Sequence, residues 1–415
     1  MRVARRELLR VGVGLGLLAP AIGLRRAAAA EELPPVRPIT TGPRFHWFSY
    51  YDKLQFDPAG RYALGMEVSF EHRLPEPTEP VRVGMVDTND RDRWIDLGES
   101  YAWCWQQGCM LQWLPGSDRV VVFNDRERER FVCRLLNMRT GQLRTVPAPI
   151  YALSPNGRTG IGCNFSRLWD VRPGYGYPGL VDPDSDNPTP NNSGVYSVDL
   201  QTGEPRLLVS VTQVLKMGQP LPDWGQAKHY FIHLLFSPDG KRFIFLHRWR
   251  TPQRHAGTRM FTAAADGSDV RLIDANGLTS HFIWRDERHI LAWSDHPPAG
   301  KRFFLFDDAG EKAPQPVGAD VMLADGHCTY LPGNKWILND SYPDRQRNQH
   351  PYLYEVTTGR LVPLGHFHSP PEYTGEWRVD THPRFSPDGK KVVIDSPHGG
   401  NGRQMYLIDI WEIVG

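Results

Sequence analysis

Four histidines occupy one position in four consecutive copies of a short repeat: His233 in HLLFSPDG, His281 in HFIWRDER, His327 in HCTYLPGN and His382 in HPRFSPDG. Each stands five residues before the turn proline or its equivalent, and the chain has only 15 histidines in all, so the coincidence calls for a cause. A lone histidine at a strand end is ordinarily a satisfied cap. Four at one register position can do more. Neutral imidazoles can hold a transition metal with a carboxylate completing the shell, or one of them can serve as a general base near neutral pH. Asp380, two residues before His382, makes His327, His382 and Asp380 the nearest metal group. His233 and His281 form the alternative, a pair that acts without metal.

Something must bring these positions together, and the repeat itself supplies it. The same frame recurs without histidine at Lys53 (KLQFDPAG), Met110 (MLQWLPGS) and Ile150 (IYALSPNG), giving seven copies. In the Pro-Asp-Gly turns, proline presets φ, aspartate bonds its own backbone and glycine takes positive φ. The β-branched run Val392–Ile394 that follows one such turn suits a pleated surface. A second hairpin-like piece follows each copy, as in LLNMRTGQLRTV and FTAAADGSDVRLI. Seven copies of a four-strand unit predict an all-β chain, a seven-bladed β-propeller with four-stranded antiparallel blades. A β-sandwich with coincidental turns does not account for seven aligned copies.

In such a ring the innermost strand of each blade lines a central channel, so the four histidines meet at its mouth. The loops between second and third strands share that face. They are residues 67–81, 164–192, 247–259, 295–301, 340–350 and 396–403, and the lead-in HFHSPPEYTGEWRVD before blade seven joins them. The longest, from Asn164 to Asn192, is rich in Gly, Pro, Asn and aromatic residues. The basic loop HRWRTPQRHAGTR offers Arg248, Arg250, Arg254 and Arg259, whose guanidinium forks match carboxylates. Arg248, Lys53 and Arg378 are the candidate substrate-binding cations.

Residues 1–30 are expected to be a twin-arginine export signal, with Arg5-Arg6, a Gly-interrupted apolar stretch from Val11 to Leu24 and a small-residue tail near Ala30. This predicts a periplasmic or extracellular protein, with residues 31–42 a Pro-rich lead-in and residues 43–415 one propeller domain. No apolar run is long enough to span a membrane. The leader carries six of the 48 basic and one of the 47 acidic residues, so the remainder has 42 against 46, which argues against a nucleic-acid partner. Five cysteines show no CxxC pair and are read as buried small apolar residues, with a Cys104–Cys109 disulfide left open.

The C-terminal four blades, roughly from His233 to Ile410, resemble the oligogalacturonate lyases, seven-bladed propellers that degrade short pectin fragments. The resemblance is carried by HLLFSPDG, GTRMFTAAADGSDVR, SHFIWRD, DGHCTYLPGNKWILND and THPRFSPDGKKVVIDS. The repeat alone is shared with TolB-like and dipeptidyl-peptidase propellers. By position, the resemblance implies that His281 is the proton-abstracting base, that Arg259 assists beside it, and that His327 and His382 bind a divalent metal, manganese first, calcium or zinc otherwise. Asp380 stands where the family has a further histidine, and Trp377 or Arg378 where it has a glutamine. The implied activity is β-elimination on a uronate-containing, acidic oligosaccharide. Removal of the C5 proton and expulsion of the C4 oxygen need a cation to neutralise the adjacent carboxylate. Trp47, Tyr50, Tyr51, Trp103 and Trp105 either stack on sugar rings or fill the space between blades. The alternative function is a non-catalytic TolB-like propeller that binds a protein or glycan partner.

Overall fold

The structure is a computed structural model that describes residues 32–220, 225–251 and 255–415. The expected export signal and Arg254 lie outside the described residues. Seven four-stranded antiparallel sheets follow one another along the chain, so the chain is the expected seven-bladed β-propeller. Blades one to five use consecutive strands from Phe45–Trp47 onward, and blade six, which ends at Leu361–Pro363, skips only the short strand Asn348–Gln349. Alternation sets their packing. In Arg242–Arg250 the apolar residues Phe243, Ile244, Phe245 and Leu246 are buried between neighbouring blades.

Blade seven is built from both parts of the chain. Its inner strands, Arg384–Phe385, Lys391–Ser396 and Gln404–Asp409, are completed by Val36–Pro38, which pairs with Tyr406–Ile408. The segment expected as a simple lead-in therefore supplies the outermost strand of blade seven, covering the edge of Gln404–Asp409 and joining the two ends of the chain. A short extra ribbon, Asn348–Gln349 paired with Phe367–His368, sits between blades six and seven. Among the described residues, no helix is long and apolar enough to cross a membrane. All five cysteines are free and buried, so Cys104 and Cys109 are not paired.

The innermost strands are broken where the histidines sit. Strand pairing in blade four skips from Ile232 to Leu235, and in blade five from Thr279 to Phe282. His233, His382 and the equivalent Met110 adopt positive φ, at 56°, 39° and 55°. Each such residue costs on the order of 1–2 kcal/mol in this region, and a bulge of this kind re-aims a side chain. Blade one is interrupted more widely: Phe45–Trp47 pairs with Met66–Val68, then the ladder lapses until the Phe56–Ala63 bridge. The excursion between them delivers Tyr50 and Tyr51 to the channel.

Candidate active site and metal centre

All four register histidines lie in one cluster. The ring centroids of His281 and His327 are 4.2 Å apart, those of His327 and His382 are 4.3 Å apart, and His233 lies 6.3 Å from His281. Tyr50 stacks on His233 at 5.3 Å and meets His382 edge-on at 4.8 Å. Tyr51 repairs the break in blade five: its hydroxyl donates to Phe282 O at 2.7 Å and accepts from Phe282 N at 3.1 Å. At the break in blade four, Tyr151 OH accepts from His233 N at 3.0 Å.

Two histidines are held by carboxylates that sequence reasoning did not assign to them. His327 Nδ1 lies 2.9 Å from Asp340 Oδ1, which also accepts from the His327 backbone N at 2.7 Å. His281 Nδ1 lies 2.9 Å from Asp325 Oδ1. In both cases the carboxylate fixes the tautomer with the proton on Nδ1, leaving Nε2 with its lone pair. Burial lowers the pKa of His281, against the opposing pull of Asp325, and so favours the neutral, proton-accepting form. Burial also lowers His233 and His382 far below the ordinary value, helped by Arg248 and His281 at His233 and by His327 and Arg384 at His382. His327 moves the other way: burial would lower it, but the Asp340 charge and hydrogen bond raise it.

His327, Asp380 and His382 have one ligand atom each within 4.8 Å of one another, and all three residues are buried. His327 Nε2, His382 Nε2 and Asp380 Oδ2 each lack a hydrogen-bond partner. Buried polar atoms are normally satisfied, so two unpartnered imidazole nitrogens converging with a carboxylate oxygen fit a bound cation. Arg378 holds the carboxylate from behind. Its Nε–H is directed at Asp380 Oδ1 at 3.2 Å although Oδ2 is 2.9 Å away, and its Nη2 donates to Tyr175 OH at 2.8 Å. That commits Arg378 to Asp380 and not to a ligand in the cleft.

A cleft of about 510 Å³ opens beside this cluster, with Asp325 and Ser280 in its wall. Arg172, Arg248 and Arg250 also line it. Among the described residues, Arg172 and Arg248 face no carboxylate within ion-pairing distance, and Arg248 Nε is a buried, unpaired donor. Arg172 comes from the long blade-three insertion, which is firmly anchored. Asn164 caps its helix Phe165–Val171, while the buried Arg167 binds Asp182 at 2.9 Å and four main-chain carbonyls. Gly174 N then donates to Glu376 Oε2 at 2.9 Å, tying the insertion to the lead-in of blade seven.

Two expected cations are elsewhere. Arg259 is not beside His281. His247 pairs with Arg259 across the blade while Arg248 pairs with Thr258, so Arg248 and Arg259 point to opposite faces. The Arg259 guanidinium instead donates to Met217 O at 2.7 Å and Val214 O at 3.1 Å, at the end of helix Val211–Leu215. Lys53 keeps its register position but is enclosed, bonded to Asp52 at 2.8 Å and 5.1 Å from the Tyr151 ring centroid. Trp47, Trp103 and Trp105 pack on one another in the core, and the Arg403 guanidinium lies 5.3 Å from the Trp47 ring and 4.4 Å from that of Trp105.

No protein-family model matches the chain, and no curated protein does either. Solved structures do. An oligogalacturonate lyase in complex with manganese superposes with a TM-score of 0.66 at 14% identity, over 91% of this chain and 93% of that one. An oligogalacturonate lyase from Vibrio parahaemolyticus gives 0.62 at 14% identity, over 90% and 93%. A puromycin-hydrolysing peptidase from Mycobacterium tuberculosis gives 0.53 at 17% identity, over 89% of this chain and 55% of that one. Proteins with different named activities share this fold, so function has to be argued from the site. The chain is similar in fold to the oligogalacturonate lyases along nearly its whole length.

Proposed function

We propose that this protein is an exported, metal-assisted lyase that cleaves uronate-containing oligosaccharides by β-elimination. The observation that carries the reading is the convergence of the buried, unpartnered His327 Nε2 and His382 Nε2 with the Arg378-backed carboxylate of Asp380, beside the His281–Asp325 pair. Their mixed imidazole and carboxylate character suits a divalent ion such as Mn²⁺, and the manganese in one of the similar lyases supports that choice. When bound, the ion supplies Lewis-acid neutralisation of the substrate carboxylate.

The chain's own groups do the rest. Arg172 and Arg248 hold the uronate carboxylate, replacing Arg259 in that role. His281 Nε2 takes the C5 proton, and Asp325 keeps the imidazole in the receptive tautomer and steadies the imidazolium that forms. The C5–H electron pair becomes the C4–C5 double bond, the C4–O4 bond breaks, and the leaving oxygen takes a proton from water. Export by the Arg5-Arg6 segment belongs to the same proposal, since an extracellular enzyme meets such oligosaccharides directly. Metal analysis of the purified parent and of His327→Ala tests the reading. Near-stoichiometric divalent metal in the parent, lost in the variant together with Mn²⁺-restored cleavage, is expected. Full cleavage by both proteins after chelation would overturn it.

A further inference from the structure

We propose that the ribbon between blades six and seven carries a second, solvent-facing site for a divalent transition-metal ion, held by His350 Nδ1 and His366 Nδ1. The register Asn348↔His368 and Gln349↔Phe367 continues so that His350 falls opposite His366. The two rings lie 4.9 Å apart, with the two Nδ1 atoms 2.7 Å from each other. On the other side of His350, Nε2 lies 3.0 Å from Asp344 Oδ2. A carboxylate only accepts, so His350 carries its proton on Nε2 and turns the Nδ1 lone pair toward His366. A carboxylate behind a histidine that faces a second histidine is the arrangement by which proteins orient metal ligands.

Without metal, one hydrogen lies between the two Nδ1 atoms. An ion takes its place, His366 turning to its other tautomer. With metal–nitrogen bonds of about 2.0–2.1 Å, two ligands of a tetrahedral ion stand about 3.3 Å apart, so the rings must part by about 0.6 Å. Their exposure allows it, since the His350 side chain is 34% accessible. Two imidazoles select Zn²⁺, Ni²⁺ or Cu²⁺ over Ca²⁺ or Mg²⁺, with water completing the shell. The ribbon is worth fastening. Arg347 donates from it to Ser369 O at 2.9 Å and Tyr373 O at 3.2 Å, and Gln349 Nε2 donates to Val379 O at 3.1 Å, next to Asp380.

The test is independent of the lyase reading. Tag-free protein with the central site emptied by His327→Ala is titrated calorimetrically with ZnCl₂, and parent preloaded with Mn²⁺ is titrated in parallel. One equivalent of Zn²⁺ is expected, weakened about tenfold by Asp344→Asn and abolished by His366→Ala. The Cu²⁺ form is expected to show nitrogen hyperfine splitting from two imidazoles. No Zn²⁺ uptake in either background, or uptake unchanged by His366→Ala, would overturn the proposal. These side chains are on the surface, so the variants should match their parents in thermal unfolding without metal.

Discussion

Replacing Asp325 by asparagine preserves the volume beside His281 and removes only the charge. The 2.9 Å contact to Nδ1 is then a neutral hydrogen bond, and the amide can equally present its NH₂ and drive the imidazole proton to Nε2, where it blocks base action. A charge-assisted hydrogen bond is worth about 1.5–3 kcal/mol. Because the Asp325 side chain is 23% accessible, solvent screens part of this. About 1.5–2.5 kcal/mol of lost transition-state stabilisation corresponds to a 10- to 70-fold fall in kcat. KM should change little, because Arg172 and Arg248, the proposed carboxylate contacts, are untouched. The assay is the initial rate of ultraviolet absorbance gained as the C4–C5 double bond forms, measured across substrate concentrations. A variant within twofold of the parent, alongside an inactive His281→Ala, would refute the orienting role of Asp325.

Other substitutions separate binding, stability and pH effects. Arg248→Lys loses the bidentate fork and should raise KM about tenfold, read in the same assay. Arg259→Met should leave kcat/KM of the folded enzyme nearly unchanged yet cost about 1–3 kcal/mol in urea unfolding, since carbonyls of Val214 and Met217 lose their donor. Arg384 holds Asp395 through two 2.9 Å bonds in the buried channel wall, so Arg384→Met should destabilise by about 3–5 kcal/mol by stranding that carboxylate. For Asp286, burial works to raise the pKa, but N–H bonds from Arg288 and His289 and side-chain bonds from His289 and Arg285 outweigh it, leaving about 2. An unfolded aspartate titrates near about 3.9, so this stabilisation is complete above pH ~4 and disappears as pH falls toward about 2. Thermal unfolding midpoints of Asp286→Asn should lack that part of the acid slope, and identical slopes would contradict the assignment.

The fold and the histidine cluster were legible because a repeat is its own alignment: one register position, read seven times, becomes one radius in the ring. His327, Asp380 and His382 converge for that reason. Arg259 was misplaced because a motif match names a residue without naming its face, whereas the register in blade four sets Arg248 and Arg259 on opposite sides. Strand alternation, applied outward from Arg248, was the available signal, and it favours Arg250 over Arg259. Asp325 and Arg172 were not legible. Asp325 precedes His327 by two residues but serves His281 in the previous blade, and Arg172 reaches the cleft only because Arg167 and Glu376 fold the insertion over the mouth. Tyr50 and Tyr51 were noticed as aromatic residues, but their place against the histidines depends on a break in blade one that the turn pattern does not reveal.

The proposed function turns on proton abstraction by His281 from a bound uronate. It is tested most directly by incubating Mn²⁺-loaded parent and His281→Ala with oligogalacturonate and following the unsaturated product by absorbance and mass. A steady rise and a product of elimination mass are expected in the parent, with the variant slower by about 10²–10⁴-fold. Equal rates in both proteins, or products carrying the added mass of water, would contradict it.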